Sequence, residues 1–238
     1  MKSKDLSIVI VTFKSESKIF NCLNSIPLIL DVIVVENSNN LNFKSDIEKK
    51  YLNVKCFLTG ANKGYAIANN IGLKNVKTKY ALVLNPDTIV GKNAIENFLI
   101  TANKFKEFWL IGPANDQSIN YEFQEKKVKE VDNLKGFAIF FNLSKFNNDF
   151  FDENFFLYFE EIDLCKNVKK NNGKIYLDKN IIINHEGGSS VDKSNALELE
   201  KNRNWHWMWS TFYFNKKYRG FLLAFIFIFP KLISSILK

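Results

Sequence analysis

Tyr80-Ala81-Leu82-Val83-Leu84-Asn85-Pro86-Asp87-Thr88 begins as a short apolar run of strand character and stops at Asn-Pro-Asp. Proline cannot continue a central strand and fixes a turn, so the run leaves a carboxylate at the strand's C-terminal end. Ligands of open α/β sheets bind at that end, which makes Asp87 a candidate for holding a metal or a phosphate-bearing substrate. On its own the tripeptide reads more simply as an ordinary turn.

The segments before it decide the fold. Leu6 to Phe13 is apolar and β-branched at nearly every position, the pattern of a strand buried on both faces of a parallel sheet. Lys14 to Ser17 opens a helix to about Ser25, with Ile19, Phe20, Leu23 and Ile26 at helical spacing. Asp31 to Val35 repeats the strand pattern and runs into the polar Glu36-Asn37-Ser38-Asn39-Asn40, read as a loop. A third strand is expected at Val54 to Leu58 and a helix at Gly64 to Leu73; Tyr80 to Leu84 is then the fourth strand. Such alternation with short connections predicts a doubly wound α/β sheet.

Beyond it, a helix at about Lys92 to Lys104 and a strand at Phe108 to Ile111 precede a mixed stretch, Tyr121 to Val131, read as short antiparallel strands or an acceptor-side loop. Gly136 to Asn142 is a further buried strand and Leu143 to Phe146 a short helix. The aromatic stretch Phe150 to Phe159 leads into Glu160-Glu161-Ile162-Asp163, three carboxylates at the start of a helix to about Asn171. The helix dipole favours acids there, so one or more of them has a purely structural explanation. Strands at Lys174 to Leu177 and Ile181 to Asn184 lead to His185-Glu186-Gly187-Gly188-Ser189-Ser190. Neutral imidazole is a good metal ligand, although a lone His beside a glycine turn is more often structural unless Asp87 approaches it.

From Asp192 a helix is expected to about Phe214, carrying Trp205, Trp207 and Trp209, followed by basic Lys216-Lys217-Tyr218-Arg219 and the apolar run Phe221 to Phe229, interrupted by Pro230. Nine apolar residues fall short of the roughly 20 that span a bilayer. Tryptophans, a basic cluster and an apolar tail suit a helix lying at the headgroup level, against the alternative of a tail packed on its own core or on a second subunit.

The chain has 238 residues and a formal charge of +8. Its lysines are spread along the length, without the basic-aromatic blocks of a nucleic-acid groove, so an anionic small substrate or an anionic membrane surface is expected and nucleic acid is not. Cys22, Cys56 and Cys165 lack any CxxC spacing, which argues against a disulfide framework or zinc site and for a reducing cytoplasm. The charged start, Met1 to Asp5, leads into a short strand and not a signal-peptide core.

Taken together, Ser7 to Phe13, Val34-Val35-Glu36-Asn37-Ser38, Asn62-Lys63-Gly64-Tyr65-Ala66 with Asn69-Asn70-Ile71-Gly72, Leu84 to Thr88, Tyr158 to Cys165, and His185 with Gly187 to Ser190 occur in the order of one family. Over roughly residues 6 to 190 the sequence resembles the family 2 glycosyltransferases of the GT-A fold, and is most similar to the rhamnosyltransferase-like branch of surface-polysaccharide biosynthesis. The resemblance implies a Rossmann-like, doubly wound mixed sheet. It also implies inverting transfer of a sugar from a nucleotide-diphosphate sugar to a hydroxyl of a lipid-linked glycan.

Its implied site places Thr12, Phe13, Glu36 and Asn37 at the nucleotide, and Asn62, Gly64, Asn70, Asn85 and Asp87 at the donor sugar and diphosphate. Glu161 would be the catalytic base and Glu160 and Asp163 acceptor or orienting residues. Asp87 and His185 would bind Mg²⁺ or Mn²⁺. The family usually has Asp where Glu36 and Glu161 stand, and an acid where Asn85 stands.

The expected organisation is a GT-A domain over 1–191, with a nucleotide-sugar half to about 112 and an acceptor half from 113. A helical extension, 192–238, touches the inner face of the cell membrane peripherally through 205–238; a homo-oligomer is left open. A catalytically silent sugar-nucleotide-binding or scaffold protein of the same fold is the alternative. A sugar nucleotidyltransferase is disfavoured because Thr12-Phe13-Lys14-Ser15 is not a Gly-rich phosphate loop, and a dehydrogenase because no GxGxxG follows a strand.

Overall fold

The computed structural model describes residues 5–113, 127–185 and 196–236, with side chains for all of these but 196–202 and 231–236. Strands β1 (Leu6–Thr12), β2 (Asp31–Glu36), β3 (Val54–Leu58) and β4 (Tyr80–Leu84) alternate with helices α1 (Glu16–Asn24), α2 (Leu41–Lys50) and α3 (Tyr65–Asn75). They lie parallel in the order β3-β2-β1-β4. Every residue of β1 is buried: Leu6, Ile8 and Ile10 face one apolar cluster with α1 and α2, while Val9 and Val11 face a second with α3. A strand covered by helices on both sides has no use for polar alternation, and its continuous apolar run follows. At Gly72 a Cβ would collide with Val9, so glycine lets α3 lie close on the sheet.

The second half converts the sheet from parallel to mixed. After β5 (Thr88–Val90) and α4 (Ala94–Lys104) come β6 (Phe108–Pro113), β7 (Val128–Glu130) and β8 (Ala138–Asn142), a 3-10 turn (Leu143–Lys145), α5 (Glu160–Lys170), β9 (Lys174–Asp178) and β10 (Ile183–His185). The full order is β3-β2-β1-β4-β8-β6-β9-β7, with β8 antiparallel to both β4 and β6. Phe140 of β8 stacks on Phe98 of α4 with ring centroids 5.0 Å apart. This is the expected doubly wound mixed α/β architecture.

Two elements lie outside the sequence reading. Helix α2 occupies the stretch after the polar cluster, capped by Asn40, whose side-chain oxygen accepts from Phe43 N at 3.0 Å. Strand β5 is the other; it pairs antiparallel with β10, the strand expected at Ile181 to Asn184, in a separate ribbon in which His185 stands opposite Thr88. Of the mixed stretch, β7 is the antiparallel strand at the sheet edge, and 121–126 lie outside the described residues, as do Gly187 to Ser190.

Helix α6 (Ala196–Arg219) packs along the aromatic stretch 150–159 and α5. Ser210 Oγ donates to Leu157 O at 2.7 Å, Tyr213 Oη to Asp152 at 2.9 Å and Tyr218 Oη to Asp163 at 2.8 Å, while Lys217 Nζ lies 2.8 Å from both carboxylates. The His206 ring stacks on Phe156 at 4.1 Å. Gly220, at φ +91°, turns the chain into α7 (Phe221–Ile236). Pro230 does not interrupt α7 as the sequence suggests; it removes one backbone donor and the helix continues. Of the large apolar side chains, Phe221, Leu222, Leu223, Phe225, Ile226, Phe227 and Phe229 are exposed, whereas Ala224 is buried. Among the described residues no helix is long and apolar enough to cross a membrane.

Candidate active site

The C-terminal ends of β1 and β2 meet where Asn37 N donates to Thr12 O at 2.8 Å. Glu36 is buried, and its carboxylate curls back on its own chain, accepting from Ser38 Oγ at 2.8 Å, Ser38 N at 3.1 Å and Asn40 N at 3.3 Å. The longer Glu side chain thus ties the turn that starts α2. Asn37 organises the next loop: its oxygen accepts from Lys63 N at 2.9 Å, and its amide donates to Asn62 Oδ1 at 3.0 Å and Gly64 O at 3.2 Å. Asn62 Oδ1 also accepts from Gly64 N at 3.1 Å. Phe13 is half-buried beside this edge.

Gly64 has φ +86°, and a Cβ there would meet Phe156 O at 2.6 Å. The same carbonyl accepts from Tyr65 N at 2.7 Å, so the start of α3 is fastened to the aromatic stretch. Asn70 completes the fastening: it accepts from Phe151 N at 3.0 Å and donates to Phe151 O at 2.8 Å and Glu153 at 3.0 Å. Its side chain therefore holds the loop before α5.

Asn85-Pro86-Asp87-Thr88 is a turn closed by Thr88 N and Oγ1, which donate to Asn85 O at 3.3 and 2.7 Å. Asn85 N donates to Phe137 O at 2.9 Å, continuing the β4–β8 pairing. The Asp87 side chain is 2% exposed, and the β5–β10 ribbon brings His185 Nε2 to 3.3 Å from its Oδ1. The imidazole itself stacks on Phe137, centroids 4.8 Å apart. Oδ1 makes no hydrogen bond: the imidazole is within ion-pair distance but lacks hydrogen-bond alignment. A buried carboxylate oxygen without a donor is costly. That orphaned oxygen and an adjacent imidazole fit a divalent cation that accepts O and N ligands. No group of three or more His, Cys, Asp or Glu side chains able to hold a metal occurs among the described residues, so the remaining ligands would come from substrate or water.

Across from this turn, α5 begins after two successive left-handed residues, Tyr158 at φ +73° and Phe159 at φ +69°. Each costs of order 1–3 kcal/mol, strain that the surrounding packing must offset. Glu160 is buried, and its Oε2 has no hydrogen-bond partner. Burial first and the charge of Glu161 second push its pKa up to about 8. Burial also raises the pKa of Glu161, opposed in part by Lys135. Gly136 lies against the Glu161 side chain, where a Cβ would stand 3.5 Å from its Cγ. Asp163 turns the other way, to Lys217 and Tyr218, and serves as an anchor of α6.

Tyr65 joins the two carboxylate-bearing stretches and was not singled out from the sequence, although it sits inside the Asn62 to Ala66 motif. Its Oη lies 2.9 Å from Asn85 Oδ1 and 3.3 Å from Gly136 O. Burial, then the fields of Glu160, Glu161 and Asp87, push its ionisation upward. Phe137 was missed as well, because the residue that backs His185 is decided by strand pairing and not by a local motif. The site thus gathers Asp87, His185, Asn85, Tyr65, Glu160 and Glu161 beyond the strand ends, flanked by the Glu36–Asn37 edge.

The "Glycosyl transferase family 2" pattern matches residues 7–164. The "Low-salt glycan biosynthesis hexosyltransferase Agl10" of Haloferax volcanii is 28% identical over 198 residues, 71% of this chain and 62% of that protein. The crystal structure of S. aureus TarS residues 1–349 superposes with a TM-score of 0.57 at 18% identity, over 73% of this chain and 60% of that one. The mannosyltransferase PcManGT of Pyrobaculum calidifontis, in complex with GDP-Man and Mn²⁺, gives 0.67 at 12% identity over 94% and 69%. The chain spans about three-fifths of the length of the first two. Sequence pattern and fold agree, and the chain belongs to glycosyl transferase family 2.

Proposed function

We propose that the protein transfers a sugar, with inversion, from a nucleotide-diphosphate sugar to a hydroxyl of a lipid-linked surface glycan. The observation that carries this reading is the buried, unbonded Asp87 Oδ1 beside His185, in the same site as the Glu160–Glu161 pair. Glu161 takes the acceptor hydroxyl's proton while that oxygen bonds to the anomeric carbon and the bond to the nucleoside diphosphate breaks. A carboxylate whose pKa is raised by burial is a better base for that proton than a solvated one. Asp87 and His185 would hold Mg²⁺ or Mn²⁺, which supplies electrostatic stabilisation to the departing diphosphate. Thr12, Phe13, Glu36 and Asn37 would border the nucleoside, and Asn62, Gly64 and Asn70 shape the donor-side loop and the stretch before α5.

The UDP, UDP-GlcNAc and GDP-Man complexes of the solved neighbours support a nucleotide-sugar donor here. The apolar residues exposed over about two-thirds of the circumference of α7, beside Lys216 and Arg219, support peripheral contact with the inner face of the cell membrane. A panel of UDP-, GDP- and dTDP-sugars tested by thermal shift with and without Mn²⁺ decides donor class and metal need together, because specific binding stabilises the native state. No shift with any donor removes the proposal. Binding with no turnover on any glycan acceptor favours a silent sugar-nucleotide-binding protein, a reading to which the self-bonded Glu36 carboxylate lends weight.

A further inference from the structure

Position 85 stands where an acid would be a metal ligand, yet its side-chain oxygen is already engaged. Tyr65 Oη lies 2.9 Å from Asn85 Oδ1, and the backbone of Asn85 cannot swing away because Phe137 O holds its N–H and Thr88 holds its carbonyl. We propose that Asn85 serves the diphosphate as a hydrogen-bond donor through Nδ2, not the metal through Oδ1, and that Tyr65 is the positioning residue that fixes this orientation. The proposal rests on the nucleotide-sugar reading above and deepens it.

The alternative is the same amide turned over. Tyr65 would then donate to Gly136 O and accept from Nδ2, leaving Oδ1 free for a cation. Two observations favour the first arrangement. The hydroxyl carries one proton, and its contact with Asn85, at 2.9 Å, is shorter than that with Gly136 O, at 3.3 Å. The fields reaching Tyr65 also come from three carboxylates, Glu160, Glu161 and Asp87. Among them an outward N–H is attracted, whereas an outward amide oxygen is repelled. Asn85 is half-buried, and its Nδ2 has no acceptor among the described residues, so this donor is unspent. It belongs to the turn that carries Asp87, beyond the C-terminal end of β4, where an incoming diphosphate offers anionic oxygens.

The test titrates UDP and GDP by calorimetry in EDTA and in Mn²⁺, and titrates Mn²⁺ alone by electron paramagnetic resonance, on wild type, Tyr65→Phe and Asn85→Ala. Losing one charge-assisted hydrogen bond weakens nucleotide binding in EDTA by about tenfold. Tyr65→Phe and Asn85→Ala should both show that loss, with Mn²⁺ affinity in the absence of nucleotide unchanged. Weaker Mn²⁺ binding by Asn85→Ala, or wild-type nucleotide affinity in EDTA for both variants, overturns the proposal. Should Tyr65→Phe fail to fold, Asn85→Ala alone carries the same two readouts. If wild type itself binds neither nucleotide under either condition, the parent reading fails and this one with it; if only the variants behave as wild type, the parent stands.

Discussion

Nε2 of His185 and Oδ1 of Asp87 lie 3.3 Å apart because β10 pairs antiparallel with β5 and sets His185 opposite Thr88. The pairing turns two distant segments into one corner, and it leaves Oδ1 buried without a hydrogen bond. Asp87→Asn should therefore separate two quantities that usually fall together. Neutralising a buried carboxylate whose Oδ1 has no hydrogen-bond donor relieves about 1–3 kcal/mol of desolvation, so the metal-free protein should melt at the same temperature or higher. The additional stabilisation by Mn²⁺ with nucleotide should vanish. A variant that melts lower while keeping the Mn²⁺ response contradicts this account.

Glu161→Gln keeps the size of the side chain and removes the base. Turnover should fall by roughly 10²–10⁴, the usual worth of a positioned general base, with nucleotide-sugar affinity within about twofold of wild type. Unchanged turnover excludes Glu161 from that role.

Glu160 gives stability a pH dependence of definite sign. Its pKa is raised from the usual 4.5 to about 8 in the folded protein, so between those values the native state keeps a proton that the unfolded chain has lost. Stability should accordingly fall as pH rises through this window. Glu160→Gln removes the contribution, and its urea midpoint should decline less than that of wild type from pH 5 to 8.5. Parallel pH profiles for the two proteins would show that Glu160 is not buried with a raised pKa.

Much of this was legible in the chain itself, for a physical reason. β1, β2 and β4 are covered on both faces, so their sequences are nearly continuous apolar runs that resemble nothing else, while the edge strand β3 alternates around exposed Lys55. The Asn-Pro-Asp turn and the Glu160–Glu161 pair are local signals too. What escaped was set by distant partners. α2 buries only Phe43 and Ile47, too few for a clear helical stripe. The β5–β10 ribbon is three residues on each side and exists through cross-strand pairing. The engagement of Asp163 with Lys217 and Tyr218, and of Asn70 with Phe151, depends on how α6 and the aromatic stretch pack. Residues with motif status thus turned out to spend their polar atoms on architecture.

Lys217 ties α6 to two carboxylates, Asp152 and Asp163, the latter with a side chain only 3% exposed. Lys217→Met strands a buried charge, which costs up to about 3–5 kcal/mol, with the lower end expected because Lys217 is itself a third exposed. Asp163→Asn in the same background removes the stranded charge and should recover part of the loss. Denaturant titration of the single and double variants measures the coupling; strictly additive effects would show that the pair does not anchor α6.

Helix α7 carries the last prediction. Its residues follow one another by about 100°, so exposure at Phe221, Leu222, Leu223, Phe225, Ile226 and Phe227 covers about two-thirds of the circumference, and the sector with buried Ala224 is the rest. A flat protein partner covers one narrow face of a helix, whereas a fluid apolar phase covers so wide an exposed sector. The Arg219 guanidinium packs over Phe227 at 4.7 Å, which puts a cation at the edge of the apolar surface, where lipid phosphates would lie. Deleting 221–238 should abolish sedimentation with vesicles containing anionic lipid, and replacing Leu222 and Ile226 with Ser should weaken it at least tenfold, given roughly 1.5–3 kcal/mol for each buried aliphatic side chain. α6 keeps its contacts with Leu157, Asp152 and Asp163 in both variants, so nucleotide binding should persist. Equal sedimentation of wild type and deletion would refute the membrane assignment, and a wild type that forms a dimer lost on deletion would identify a second copy as the occupant.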